Sequence, residues 1–598
     1  MKKALTIVLV LVALTECAFY TIGLAPQLPE KEVADRVVMQ VDSFSTLIAG
    51  QLLPEAENRE PDPQRLRQLF LQIRLAYKKF EWAAEYFNPT ITHNVNGPPV
   101  PDAELSGFVT QPAGLQVIEG YLYPKYDPGK RRDIVRELKA LLFNCTTYKN
   151  YYQHAIISNA QVLDAAKLEV FRVLTLGIAG FDAPLAKSGI SESAGSLRSL
   201  SGILAINAAG SSDINLKLKF SKAIGYLEKD TGFDNFNRAI FIRDYGNPLT
   251  AAINQVQQTL HLPPMRSRRL LRQNAATLFD AGAFDASAYI ANADDTASAD
   301  KIALGKKLFN DPSLSASGTL SCASCHQPDK AFTDGLVKNK ASDGHGMLLR
   351  NTPTLLNAAF QPAEFADMRE SSLEGQARDV IENKHEMNGS FAQITAMLSN
   401  NTVYTGLFAA AYPQTRKAGI GRKEITGALT AYEQTLSVLN SRFDEYMRGK
   451  ATAMNEEEVN GFNLFMGRAM CGTCHYMPLF NGTLPPLYNK IDAEVLGVPA
   501  TADGRQLDSD HGRRAITHAV TDDNAFKIST VRNAARTAPY MHNGVFPTLQ
   551  DVIDFYDRGG GVGMGLKVPN QTLSSAPLQL SAKEKQELIA FIETLNNG

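Results

Sequence analysis

Cys322-Ala-Ser-Cys325-His326 recurs further along the chain as Cys471-Gly-Thr-Cys474-His475. Each is a C-x-x-C-H string, the attachment sequence of c-type haem. Two thiols separated by two residues reach the two vinyl groups of one porphyrin, and the next residue, a histidine, is placed beneath the iron as proximal ligand. A single C-x-x-C also suits a redox dithiol or half of a zinc site. Two copies, each followed at once by His, use four of the six cysteines. The reading that accounts for both is a protein with two covalently bound haem c groups, organised around these two strings.

A chain of 598 residues has room for about three or four domains. Its net charge of -2 points neither to nucleic acid nor to an anionic membrane surface. At the N-terminus, Lys2 and Lys3 precede an apolar run from Ala4 to Leu14, too short for a comfortable membrane span. Residues 1–22 therefore read as a secretory leader. Thioether-bound haem suits an exported protein, so leader and strings agree on the periplasm. Cys17, in Leu14-Thr15-Glu16-Cys17, loosely resembles a bacterial lipidation box, with Glu16 where a small residue is usual. A lipid anchor at Cys17 competes there with ordinary cleavage nearby and with an uncleaved anchor. Cys145 has no clear partner and reads as a buried free thiol.

Residues 30–284 carry a helical pattern. Asp62-Pro63 supplies a cap and an N1 proline, after which Leu66, Leu69, Phe70, Ile73, Tyr77 and Phe80 recur at helical spacing until Asn88-Pro89. Leu163–Leu176 and Leu197–Ala208 are further helical stretches, and strand-like alternation is missing. A helical bundle follows. Residues 285–300, rich in Ala, Asp, Ser and Thr, read as a linker. Beyond it the chain repeats itself. Gly305-Lys-Lys-Leu308-Phe309 precedes the first haem string and Gly461-Phe-Asn-Leu464-Phe465 the second, a tandem pair of cytochrome c units over 301–450 and 451–598. Asn455 and Glu458 cap the second unit's first helix. Ser581 and Glu584 cap its last, whose Leu588, Ile592 and Leu595 share one face. The expected fold is all-α, an N-terminal helical bundle followed by two tandem cytochrome c-type haem domains.

Within the bundle, Gly114-Leu-Gln116-Val-Ile-Glu119 resembles the G-x-H-x-x-E segment of imelysin-like domains, helical periplasmic modules of which some are linked to iron uptake. Gln116 stands in place of the histidine, which weakens any metal role, and Glu119 reads first as part of a packing helix. Arg266, Arg268, Arg269 and Arg272 read as a solvated helix face.

With both haem strings placed, residues 301–598 resemble the bacterial diheme cytochrome c peroxidase and MauG family. The resemblance is carried by Leu308-Phe-Asn-Asp-Pro-Ser-Leu-Ser, by Arg350-Asn-Thr-Pro-Thr-Leu-Leu-Asn-Ala-Ala-Phe360 and by Thr537-Ala-Pro-Tyr-Met-His-Asn-Gly544. It implies a peroxidatic first haem and an electron-transfer second haem. Glu386 falls at the family's distal glutamate and Gln376 at its distal glutamine. Splitting the peroxide bond needs an open iron position and a group that takes a proton from one oxygen and returns it to the other. The resemblance gives the proton relay to Glu386 and the orienting of peroxide to Gln376. His345 sits where peroxidase members carry a removable sixth ligand on the first haem; a loop histidine of no consequence competes with that reading. His385 reads as a surface or packing residue. For the second haem, Tyr556 aligns with the sixth-ligand position, and Met541 is the alternative. Asn351, with the backbone oxygens of Thr537 and Pro539, matches the family's calcium site. The family's inter-haem tryptophan is replaced by Ala366, and the only tryptophan, Trp82, lies in the bundle.

The activity implied is that of a periplasmic diheme peroxidase reducing hydrogen peroxide with electrons from a small redox protein, a c-type cytochrome or a cupredoxin. A MauG-like oxidase acting on a partner protein and a non-catalytic diheme electron carrier are the rivals. A homodimer is in keeping with the family.

Overall fold

Asp62 opens the helix Pro63–Tyr77 as expected, its carboxylate accepting the Gln64 N–H at 2.9 Å. A computed structural model describes residues 30–207, 214–265, 268–291, 296–413 and 419–597 of the chain. The expected leader, Cys17, Ala208 and Arg266 lie outside the described residues. Where one helix to Asn88 is expected, the chain stops at Tyr77 and restarts as Glu81–Phe87. The break turns the Lys78 ammonium inward onto Glu81 (2.7 Å) and Asp182 (2.6 Å). Arg74 meets Glu192 at 2.7 Å and Arg172 meets Asp182 at 2.7 Å in the same buried cluster. Buried charges persist only when paired in this way. Periodicity counts apolar residues and is blind to such a cluster.

The expected stretches around Leu163 and Leu197 form Asn159–Arg172, which runs on as a wide turn over Val173–Gly177, and Gly189–Asn207. Two short antiparallel ribbons depart from the all-helical expectation. Asp102 and Ala103 face Thr110 and Val109, and Ala493–Val495 pairs with Ala525–Lys527. Strands of two or three residues are too short to show alternation. Arg268, Arg269 and Arg272 also differ from expectation, because they are not helical. Arg269 is drawn in against Asp164 at 2.5 Å, and Arg272 reaches Asp285 at 3.5 Å.

The repeat is physical. In the first haem domain Ala299–Phe309 crosses Arg422–Gln434, and in the second Glu456–Phe465 crosses Ala582–Thr594. A Cβ at Gly305 would collide with the Ala428 carbonyl oxygen, and one at Gly461 with that of Glu587. The paired glycines are what let each helix pair approach so closely. Asn455 with Glu458 and Ser581 with Glu584 form the two expected capping boxes. Leu588, Ile592 and Leu595 are buried.

The first haem domain keeps a core of its own around Leu304, Phe309, Ile381 and Leu429. The bundle and the second haem domain share one core. Phe443, ahead of the expected boundary at 450, is its hub, with ring centroids 5.8 Å from Phe279 of the bundle and 5.2 Å from Phe462 and Phe480, so the end of the first unit packs with the second. The stretch expected as a linker is packed where it leaves the bundle: the Tyr289 hydroxyl donates to the Tyr488 carbonyl, and Gln434 donates to the Ala286 carbonyl. Cys145 is buried. Among the described residues no helix is long and apolar enough to cross a membrane.

Candidate functional site

Cys322–Cys325 is a single helical turn opened by Ser321, whose side chain and that of Ser324 cap it reciprocally. In the second string the turn is Cys471–Thr473. The two thiols and the following histidine of each string all line one cavity. The Nδ1–H of His326 is 3.0 Å from the Phe332 carbonyl, and that of His475 is 3.0 Å from the Ser529 carbonyl. A backbone acceptor at Nδ1 fixes the tautomer and leaves Nε2 as the free ligand atom. Burial lowers the pKa of both imidazoles, that of His475 to about 4 against the pull of its backbone acceptors. Burial thus favours in both rings the neutral form that metal ligation requires.

All four thiols are free. Burial pushes Cys322 and Cys471 up to about 12 and Cys325 to about 11. A redox dithiol needs the opposite shift, so the surroundings disfavour that alternative.

Both strings open on one continuous cavity of about 1700 Å3. The free Nε2 atoms, paired thiols and largely apolar walls fit two porphyrins. On the first side, Gln376 lies on the helix Leu373–Glu382 and faces the cavity. Glu386 follows in the next turn, its N–H donating to the Asn383 carbonyl at 3.0 Å. Burial raises the Glu386 pKa against the pull of Arg369, and its Oε2 has no hydrogen-bond partner. A buried carboxylate oxygen without a partner is one the site has left for something else. His345 lies at the rim between two glycines of positive φ, Gly344 and Gly346. Asp343 accepts the His345 N–H at 2.9 Å. His385 is exposed, as expected, and paired with Asp343.

On the second side, Tyr556 lines the cavity from the helix Leu549–Asp557. Burial raises its phenol well above the usual range, helped by the neighbouring Cys474, Cys471 and Glu494. Met541 also lines the cavity, from a backbone with φ of 71°. Glu494 was not legible in the sequence, where nothing distinguishes it from a surface acid. Its Oε1 accepts from the Cys474 thiol at 3.6 Å, and burial raises it to about 7.

Ala366 faces the cavity with a methyl group, and its carbonyl accepts the Lys527 N–H at 2.8 Å. Trp82 is far off in the bundle core. Next to Lys527, Phe526 stacks on His542 with centroids 3.7 Å apart. Arg350 binds Asp367 and Asp510 (both 2.6 Å) and so joins the two haem domains there. Asn351 donates from its side-chain amide to the Leu336 carbonyl at 2.7 Å and from its N–H to the His542 carbonyl at 2.7 Å. Asn351, Thr537 and Pro539 line the same cavity. In the bundle, Gln116 donates to the Asn96 carbonyl and Glu119 accepts the Ala186 N–H at 2.8 Å. Among the described residues no group of three or more His, Cys, Asp or Glu is placed to hold a metal ion.

The family model described as "Di-haem cytochrome c peroxidase" matches residues 299–452. The methylamine utilization protein MauG of Methylorubrum extorquens is 35% identical over 299 residues, which is 50% of this chain and 78% of that protein. The cytochrome-c peroxidase IdrP1 of a Pseudomonas species is 34% identical over 325 residues, 51% of this chain and 82% of the relative. The cytochrome c551 peroxidase of Pseudomonas aeruginosa is 32% identical over 304 residues, covering 49% and 78%.

Proposed function

The chain belongs to the di-haem cytochrome c peroxidase family, and on that premise we propose that it is a peroxidase-type oxidoreductase that reduces hydrogen peroxide in the periplasm. The overall change is H2O2 with two electrons and two protons to two waters. The electrons come from a small redox protein, a c-type cytochrome or a cupredoxin, and enter at the second haem. The observation that carries this reading is Glu386, which lines the cavity that holds the first attachment string and keeps a buried carboxylate oxygen without a hydrogen-bond partner.

Haem c, when bound, supplies the iron that takes up peroxide and exchanges electrons. Cys322 and Cys325 would hold the first group and Cys471 and Cys474 the second, and His326 and His475 would supply a nitrogen to each iron. The hydrogen bond from His326 to the Phe332 carbonyl gives its ring more electron density to donate. Glu386 holds and moves the proton: its raised pKa brings it nearer the operating pH, where a relay works best. Gln376 orients peroxide through its amide. His345, on a loop flanked by two glycines of positive φ, would hold the first haem iron reversibly. Tyr556, or Met541 in its place, would hold the second. Asn351 and the backbone oxygens of Thr537 and Pro539 hold calcium, a set of neutral oxygens that leaves room for several waters.

Stopped-flow turnover with peroxide and a reduced donor tests the proposal. Glu386→Gln should cost about 10²–10⁴-fold in rate, the usual worth of a positioned acid–base group. A variant as fast as the parent protein would remove the mechanism.

The second reading is a MauG-like oxidase that uses peroxide to modify a partner protein. Burial of Tyr556 beside the second string favours it, and the methyl group at Ala366 counts against it. Mass spectrometry of co-purified partners separates the two by an oxidised side chain.

A further inference from the structure

The bundle supplies part of the cavity wall, and it does so beside the second attachment string. The strap from Pro98 to Ala103 and Phe181 line the cavity together with Lys490 and Asp492. Phe181 stands edge-on to Tyr476 with ring centroids 5.8 Å apart, and Tyr476 directly follows His475. The Tyr476 hydroxyl in turn donates to Asp492 at 3.2 Å. The strap is pinned at its end, where Lys490 donates to the Asp102 carboxylate at 2.6 Å across the junction of the two halves. Behind it, Asn463, on the helix that precedes the second string, accepts the Ala239 N–H at 3.0 Å. The arrangement is that of one pocket built by two parts of the chain.

We propose that the N-terminal half is a working component of the second haem pocket that sets that haem's reduction potential. This rests on the reading of two bound haems. The physical reason is charge. Ferric haem carries one more positive charge than ferrous, so a wall that replaces water with apolar side chains disfavours the ferric form and raises the potential. Phe181 and the proline strap are that wall. A cation at the mouth favours the reduced form and an anion opposes it, so Lys490 raises the potential and Asp102 lowers it. The bundle thereby decides which donors can reduce the second haem.

The test is a spectroelectrochemical titration of the full-length holoprotein at low ionic strength, following each haem by its own absorbance. Lys490→Met should lower the second potential and Asp102→Asn should raise it. Each should change the reduced-to-oxidised ratio at fixed potential by about threefold, where tenfold is 59 mV for one electron. Phe181→Ala should lower it by at least as much, with the first haem unmoved throughout. The charge effects should shrink in high salt, because both partners are half exposed. Opposite signs from the two partners of one ion pair are what a merely loosened junction would not produce. Shifts of the same sign, no shift, or an equal movement of the first haem would overturn the proposal. Fewer than two haems by the pyridine haemochrome assay would overturn the two-haem reading itself.

Discussion

Asp343 Oδ2 and His385 Nδ1 stand 2.7 Å apart, and the pair joins the loop that carries His345 to the turn that carries Glu386. The Ser342 N–H, donating to the His385 carbonyl at 2.9 Å, reinforces the joint. The loop of His345 and the turn of Glu386, the proposed removable ligand and proton relay, are thus held together by these contacts. If His345 is to leave the first iron, this joint is what yields or carries the movement.

Asp343→Asn should loosen the loop. In the oxidised holoprotein the fraction of first haem that binds cyanide should rise by about twofold to fivefold, the scale of an exposed ion pair. Optical titration with cyanide measures it, and an unchanged fraction would mean that the joint does not restrain His345.

Glu119 gives a pH dependence to the bundle. Burial raises its pKa from 4.5 to about 7, while Arg74 and the Ala186 N–H pull the other way without winning. The native state therefore binds a proton that the unfolded chain has already lost. Its contribution is full below pH 4.5 and falls away as the pH climbs towards 7. Glu119→Gln keeps the acceptor for Ala186 and removes the titration. Urea unfolding at pH 8 should find the variant more stable, by on the order of 2–3 kcal/mol, and equal stability at pH 8 would contradict the assignment.

Arg532 and Asp444 form a fully buried pair, with guanidinium nitrogens 2.7 and 2.9 Å from the carboxylate oxygens. Burial alone would raise the Asp444 pKa, but Arg532 holds it below the usual range. The pair secures the segment whose Ser529 carbonyl accepts from His475. Asp444→Asn strands a buried cation and should cost about 3–5 kcal/mol in urea unfolding, with a change in the second haem's spectrum. A loss below about 1 kcal/mol would show that the site relaxes around the unpaired arginine.

Tyr556 and Met541 make opposite predictions for the second haem. With Tyr556 as the sixth ligand, Tyr556→Met should raise that haem's potential and change its paramagnetic resonance spectrum, because thioether favours ferrous iron and phenolate ferric. Met541→Ala should then leave both as they were. The reverse pattern would assign the ligand to Met541.

Much of this architecture is legible along the chain because its determinants are local. A C-x-x-C-H string carries its chemistry within five residues, and a capping box such as Ser581 with Glu584 within four. Gly305 and Gly461 mark the same helix crossing twice, so repetition exposes them even though the carbonyls they meet, those of Ala428 and Glu587, lie over 120 residues away. The roles proposed for Glu386 and Gln376 come from the family resemblance alone.

What the chain could not announce depends on residues brought together from far apart. Nothing in Lys78, Asp182 or Glu192 marks a buried ionic cluster, since each alone is an ordinary surface residue until folding removes water from all of them together. Nothing near Phe181 or Asp102 indicates that the bundle would meet Tyr476 and Lys490, the latter 388 positions from Asp102. Local spacing determines which groups are bound and where they are tethered. Only tertiary packing decides what water, charge and loops surround them, because those terms depend on distance in space rather than along the sequence.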